Sequence, residues 1–197
     1  MNIYLVRHGK VNNPKNIFYG RLHGFNLLQE KVNEIEETGK FLKGKNIEII
    51  ISSPMERAIE TAQIIKKILK LDKTNTIISS RINEIRTSFQ GKPIAELEKI
   101  NFDDIYSSRY RSKGNETIKQ IISRMEKFII SLTYKFNGKN ILAVSHGYPI
   151  AIIKAYIQNK PLNMNDIYSQ NYPKHGEVIK IEIIKNKILN IKSVFKP

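Results

Sequence analysis

Ile3-Tyr4-Leu5-Val6-Arg7-His8-Gly9 is the stretch from which the rest of the chain can be read. Four consecutive apolar residues rich in strand formers predict a buried strand. The run ends directly in a guanidinium, an imidazole and a glycine, and the glycine lets the backbone turn where a side chain would obstruct a ligand. Two further runs have the same form. Ile47-Glu48-Ile49-Ile50-Ile51 leads into Ser52-Ser53-Pro54-Met55-Glu56-Arg57, and Ile141-Leu142-Ala143-Val144 leads into Ser145-His146-Gly147. Near-continuous apolar runs suit a parallel sheet covered on both faces. Thr76-Ile77-Ile78-Ser79 is a shorter fourth candidate. Residues 177–184 and 188–194, separated by Lys185-Asn186-Lys187, predict a hairpin that lacks the usual turn glycine.

Helical spacing fills the intervals. Leu28, Val32, Ile35 and Leu42 recur at that spacing after the first run, and Ala58, Ala62, Ile65 and Leu69 after the second. Ile118, Ile121, Ile122, Met125, Phe128, Ile129 and Leu132 form a long apolar stripe, read as a core face. A further helix is expected over 149–158. Strands alternating with helices predict an α/β fold: a three-layer sandwich with a mostly parallel central sheet flanked by helices. A single domain over 1–197 is expected. The segment from about 86 to 114 carries the least pattern and reads as a small insertion over the active-site end of the sheet.

Composition excludes several classes. There is no cysteine among the 197 residues, so a disulfide framework, a thiolate zinc site and a cysteine nucleophile are all ruled out. No apolar run reaches the length of a signal peptide's core or a membrane span, so no membrane partner and a cytoplasmic location are expected. The formal net charge of +15 is compatible with anionic partners. Lysines are nevertheless dispersed, as in Ile64-Ile-Lys-Lys-Ile-Leu-Lys-Leu71, which reads as a helix with a solvated basic face.

The residues just beyond each strand place the chemistry. In open α/β sheets, ligands bind in the crevice beyond the carboxyl ends of the strands. The sequence therefore predicts that Arg7, His8, Arg57 and His146 converge there. Ser53 suits an N-cap, Pro54 the first helical position and Glu56 a capping box. Arg57 then lies at the electropositive end of a helix, unfavourable unless an anion shares the site; the plainer alternative is a surface pair with Glu60. The arginine fork matches phosphate oxygens, and neutral histidine can act as a covalent nucleophile, so the set suits a phosphoryl group. Arginine charges nearby disfavour the imidazolium of His8. Glu84, after the fourth run, is placed to approach the crevice as a general acid, with Asp103 and Asp104 as rival carboxylates.

Leu5-Val-Arg-His-Gly9, Ser52-Ser-Pro-Met-Glu-Arg-Ala-Ile-Glu-Thr-Ala62 and Val144-Ser-His-Gly147 together resemble the histidine phosphatase superfamily, in its phosphoglycerate mutase-like branch. Ile82-Asn-Glu-Ile85 resembles the family segment that carries the acid. Gly114-Asn-Glu-Thr117 followed by Arg124 resembles another of its signatures. The resemblance implies that His8 becomes phosphorylated, that Arg7, Arg57 and His146 bind the phosphoryl oxygens, that Glu84 is the proton donor, and that neither metal nor cofactor is required. The chain departs from the pattern at Lys10, where an acidic residue is usual, and at Pro14, where asparagine is common and Asn13 stands in as a candidate substrate contact. It departs again at Lys31, where a glycine is usual, and after Glu84. Phe18-Tyr19-Gly20-Arg21 supplies a second candidate contact, Arg21.

The function expected is hydrolysis of a small phosphorylated metabolite or a phosphoprotein through phosphohistidine. The compact length favours this over mutase-type transfer. A nucleic-acid-binding module is the non-enzyme alternative, but neither an arginine-dense recognition helix nor a sheet of stacking aromatics is present, and no nucleic-acid partner is expected. A metallohydrolase using His8 and His146 lacks a recognisable metal motif. Oligomeric state is not legible.

Overall fold

A computed structural model describes residues 1–97, 99 and 113–197. Six strands form one sheet: β1 (Asn2–Arg7), β2 (Ile47–Ser52), β3 (Thr76–Ile78), β4 (Asn140–Ser145), β5 (Val178–Ile184) and β6 (Lys187–Phe195). Their order is β3-β2-β4-β1-β5-β6, with β1 to β4 mutually parallel and β5 and β6 antiparallel at one edge. The long helices are α1 (Val32–Leu42), α2 (Glu56–Ile68), α3 (Ile118–Lys135) and α4 (Gly147–Ile157). The α/β sandwich expected from the alternation is the one observed.

Topology assigns the helices to faces. The chain steps outward from β1 to β2 to β3 through α1 and α2, then returns through α3 to lay β4 between β2 and β1. Parallel crossovers are right-handed, so outward and returning steps put their helices on opposite sides of the sheet. Alternation along β1 matches this arrangement. Tyr4 and Val6 pack with Ile35, Ala58, Ala62 and Ile65 of α1 and α2, while Ile3 and Leu5 pack with Ile121, Met125 and Ile150 of α3 and α4. The stripe at 118–132 is thus the core face of α3. Its first turn is closed by a capping box between Thr117 and Gln120.

Details differ from the sequence reading in three places. Leu28 precedes α1 and lies outside the helix. The α2 cap is Met55, without a side-chain cap, and Ser53 is drawn into the site instead. The β5–β6 turn forms without glycine because Lys185 and Asn186 both take positive φ, 48° and 62°, as a two-residue hairpin loop requires. Of the segment read as an insertion, residues 98 and 100–112, including Asp103 and Asp104, lie outside the described residues; Ile94–Leu97 forms a single helical turn. Among the described residues, no helix is long and apolar enough to cross a membrane.

Candidate active site

Register brings the predicted residues together. In the β1–β4 pair Arg7 lies opposite Ser145, and in β2–β4 Ser52 lies opposite Val144. The strand tips are tied by His8 N–H to Ser145 C=O at 3.0 Å and Ser53 N–H to Val144 C=O at 3.0 Å. His8 and His146 therefore emerge side by side, their ring centroids 5.1 Å apart. The first turn of α2 delivers Arg57 between them.

The hydrogen bonds determine the tautomers. His8 Nδ1 lies 2.8 Å from Gly9 C=O, which can only accept, so Nδ1 carries the proton. The lone pair of neutral His8 is then on Nε2, where Arg57 Nε–H donates at 3.3 Å. His146 has the opposite arrangement. Its Nδ1 faces Arg57 Nη2 at 3.2 Å and accepts, so Nε2–H donates to Ser53 Oγ at 2.7 Å. The Ser53 hydroxyl passes its proton towards Asn83 Oδ1 at 3.2 Å, and that oxygen also accepts from Glu84 N–H at 2.8 Å.

Arg57 is 0% exposed, which excludes the surface pair with Glu60; the Glu60 carboxylate accepts from Leu27 N–H instead. Arg57 Nη2 donates to Gly20 C=O at 2.7 Å, and its guanidinium lies 4.7 Å from the Tyr19 ring centroid. Arg7 Nη1 donates to Pro173 C=O at 2.8 Å, with its guanidinium 4.8 Å from the Tyr172 ring centroid. Two buried donors, Arg7 Nε and Arg57 Nη1, have no hydrogen-bond partner among the described residues. Buried polar groups are normally satisfied, so two orphaned guanidinium N–H groups beside a histidine lone pair mark a place for an anion.

Glu84 is also held in this crevice. Its Oε1 accepts from Ile85 N–H at 2.8 Å, and Oε2 stands 4.0 Å from His146 Nδ1. Its backbone carbonyl is gripped by Arg21 Nε at 2.7 Å and Arg124 Nη2 at 3.4 Å. Both arginines are bridged by Glu116, at 2.9 Å each. The Gly114–Thr117 signature with Arg124 thus forms a brace behind Glu84.

Electrostatics follow from burial. His8 is held well below the ordinary imidazole value by loss of solvent, and next by Arg57, His146 and Arg7. Burial thus outranks the arginine charges that the sequence pointed to. His146 is lowered in the same way, by burial and then by Arg57. Burial raises Glu84, opposed by Arg57. A neutral imidazole and a carboxyl displaced towards its protonated form therefore occupy one crevice.

Of the expected contact residues, Arg7, His8, Arg57, His146 and Glu84 are brought together. The Asn13 amide closes a local loop, donating to Ile17 C=O at 2.8 Å and accepting from Ile17 N–H at 3.2 Å. Arg21 is engaged by Glu116 and the Glu84 carbonyl. Sequence reasoning missed Ser53, Tyr172 and His175 as site components, and from the 18–21 stretch it favoured Arg21 over Tyr19. Ser53 was visible only as a cap. His175, whose ring centroid is 5.7 Å from that of His8, comes from the loop before β5 and bears no local signal. Among the described residues, no group of three or more acidic or histidine side chains is arranged to hold a metal ion.

Comparison with known proteins decides the family. Residues 3–190 match the model of the histidine phosphatase superfamily (branch 1). The chain belongs to that superfamily. A Bacillus subtilis (strain 168) relative named uncharacterized phosphatase PhoE is 28% identical over 152 residues, covering 75% of this chain and 72% of the relative. A 2,3-bisphosphoglycerate-dependent phosphoglycerate mutase of Methanococcus vannielii is 24% identical, covering 87% and 86%. The fold is shared with Bacillus stearothermophilus YhfR, with a TM-score of 0.80 at 22% identity over 95% of this chain and 94% of that one. Relatives in the histidine phosphatase superfamily thus include both phosphatases and mutases.

Proposed function

We propose that this chain is a metal-independent phosphomonoesterase that carries the phosphoryl group on His8 Nε2. The observation that carries the reading is the unprotonated Nε2 of His8, set by the Nδ1–H bond to Gly9 and contacted by Arg57, in a crevice where Arg7 and Arg57 each keep a buried donor without a partner among the described residues. In the first step the Nε2 lone pair attacks phosphorus and the ester P–O bond breaks. The leaving alkoxide takes the proton of the Glu84 carboxyl, whose burial favours the acid form. Arg7 and Arg57 direct N–H groups at the equatorial oxygens as charge redistributes. His146 Nδ1 accepts from Arg57 Nη2 and so fixes that guanidinium beside the reacting histidine. In the second step Glu84 takes a proton from water, the water oxygen bonds to phosphorus, and the P–N bond breaks. Inorganic phosphate leaves and the lone pair of His8 is restored.

Trapping with labelled ester tests this. An acid-labile, base-stable adduct on His8, absent from His8→Ala and formed equally with chelator present, is expected. An adduct on serine, or activity in His8→Ala close to that of the parent, overturns the assignment. The mutase relatives give a second reading, in which the same phosphohistidine passes its phosphoryl to a second alcohol. Adding phosphoglycerate to the trapped intermediate separates the two, because only a mutase moves label into the acceptor faster than into water.

A further inference from the structure

Above the catalytic groups lies a cavity of about 290 Å³ whose wall is mostly ring and hydrocarbon. Phe18 and Tyr148 meet at 6.2 Å between centroids, Tyr148 and Tyr172 at 5.0 Å, and Tyr168 and Tyr172 at 5.0 Å, giving a continuous aromatic strip. Ile94 and Leu97, from the short helical turn, complete the wall. Among the described residues, only Arg7 and Glu84 bring formal charge to this space.

The placement of those two charges has a chemical consequence. Arg7 has a buried Nε without a partner among the described residues, and in the phosphatase reading it is committed to the transferring phosphoryl. The one proton Glu84 can give is committed to the leaving oxygen in the phosphatase reading, and its carboxylate repels a second anion. An alcohol carrying its own carboxylate or second phosphate would be desolvated here with no further cation among the described lining residues to meet it, at substantial cost. A ring or hydrocarbon body instead gains from burial and from edge contacts with the strip. Pockets of this size and lining take small, largely apolar ligands oriented by a few polar groups.

Resting on the phosphatase reading above, we propose that this cavity selects phosphate esters of uncharged, ring-bearing or apolar alcohols over those of anionic or polyhydroxy alcohols. Selection is set by the body of the alcohol, while the phosphoryl is held identically in every ester.

The test compares esters of primary alcohols, so that leaving-group chemistry stays nearly constant: 2-phenylethyl phosphate, glycerol 3-phosphate and 3-phosphoglycerate. On the unmodified protein, kcat/KM for the phenylethyl ester is expected to exceed the other two by tenfold or more, the scale on which hydrophobic pockets discriminate. Ile94→Lys, at a half-exposed position on the cavity wall, places a cation there and should shrink or reverse that ratio against 3-phosphoglycerate. Equal or inverted kcat/KM values for the unmodified protein overturn the proposal while leaving the phosphatase reading intact. If no ester turns over, the phosphatase reading fails. Calorimetric binding of the same three esters to His8→Ala then decides selection on its own: a tenfold preference for the phenylethyl ester supports it, and equal affinities overturn it.

Discussion

At the scale of single residues, the site depends on which atoms carry protons. Burial holds His8 neutral and pushes Glu84 towards its acid form, so one environment displaces both groups towards the forms a nucleophile and an acid need. Glu84→Gln keeps the shape and removes the transferable proton. It should slow single-turnover phosphorylation of His8 by alkyl esters ~10²–10⁴-fold, and by nitrophenyl phosphate far less, since that leaving group needs no proton. Equal slowing for both esters would mean that Glu84 positions the site without donating. Arg57 touches both histidines, and its Nη1 has no partner among the described residues. Arg57→Ala should lower kcat/KM for any ester by roughly 10²–10³, the usual loss on removing one preorganised donor. An unchanged value would reduce Arg57 to a packing element.

At the scale of elements, the site depends on how α2 is joined to the end of β1. Thr61, one turn beyond Arg57, is the link: its hydroxyl donates to Arg57 C=O at 2.7 Å and accepts from Gly9 N–H at 3.0 Å. Valine at this position keeps the volume and removes both bonds, leaving the Gly9 N–H buried and unpaired. Thr61→Val is expected to cost about 1–3 kcal/mol in urea unfolding and to lower kcat by displacing the turn that orients His8. A loss below about 0.5 kcal/mol, with kcat unaltered, would show that α2 is positioned by packing alone. A similar constraint operates at the start of α4. A Cβ on Gly147 would come 2.4 Å from the Tyr172 ring, the ring on which the Arg7 guanidinium rests.

For the whole molecule, two buried imidazoles and one half-buried imidazole make stability depend on pH. His8 and His146 are held well below their ordinary values, and burial and Arg7 bring His175 down to about 3. Between the unfolded value near 6.5 and those lowered values, the unfolded chain binds protons that the folded chain refuses. Their contribution is therefore complete above about pH 6.5 and is lost as pH falls below it. Glu84 acts in the opposite sense, its raised value favouring the folded state at low pH and weakening it as pH rises above about 4.5. Three histidines outnumber one carboxyl, so Tm is expected to be lower at pH 5 than at pH 7, and His175→Gln should narrow the gap. A Tm that is flat or rises on acidification would contradict the neutral state of these rings.

What the sequence determined by itself was local in origin. Apolar runs placed the strands, helical spacing placed α1 to α4, and the residue types at the strand ends named Arg7, His8 and His146 before any contact was known. Periodicity is written within a few residues of each position, so it survives without the fold. Contacts between distant segments are written nowhere locally. The insertion of β4 between β1 and β2 set the register that seats His8 beside His146. Packing of α2 into that corner buried Arg57 away from Glu60, and Ser53, legible only as a cap, became the acceptor for a histidine 93 positions away. Tyr19, Tyr172 and His175 joined the site, while Asn13 and Arg21 turned to loop closure and to bracing Glu84. A side chain's partner depends on which remote backbone the register lays beside it and on what solvent the packing removes, and only the tertiary structure decides either.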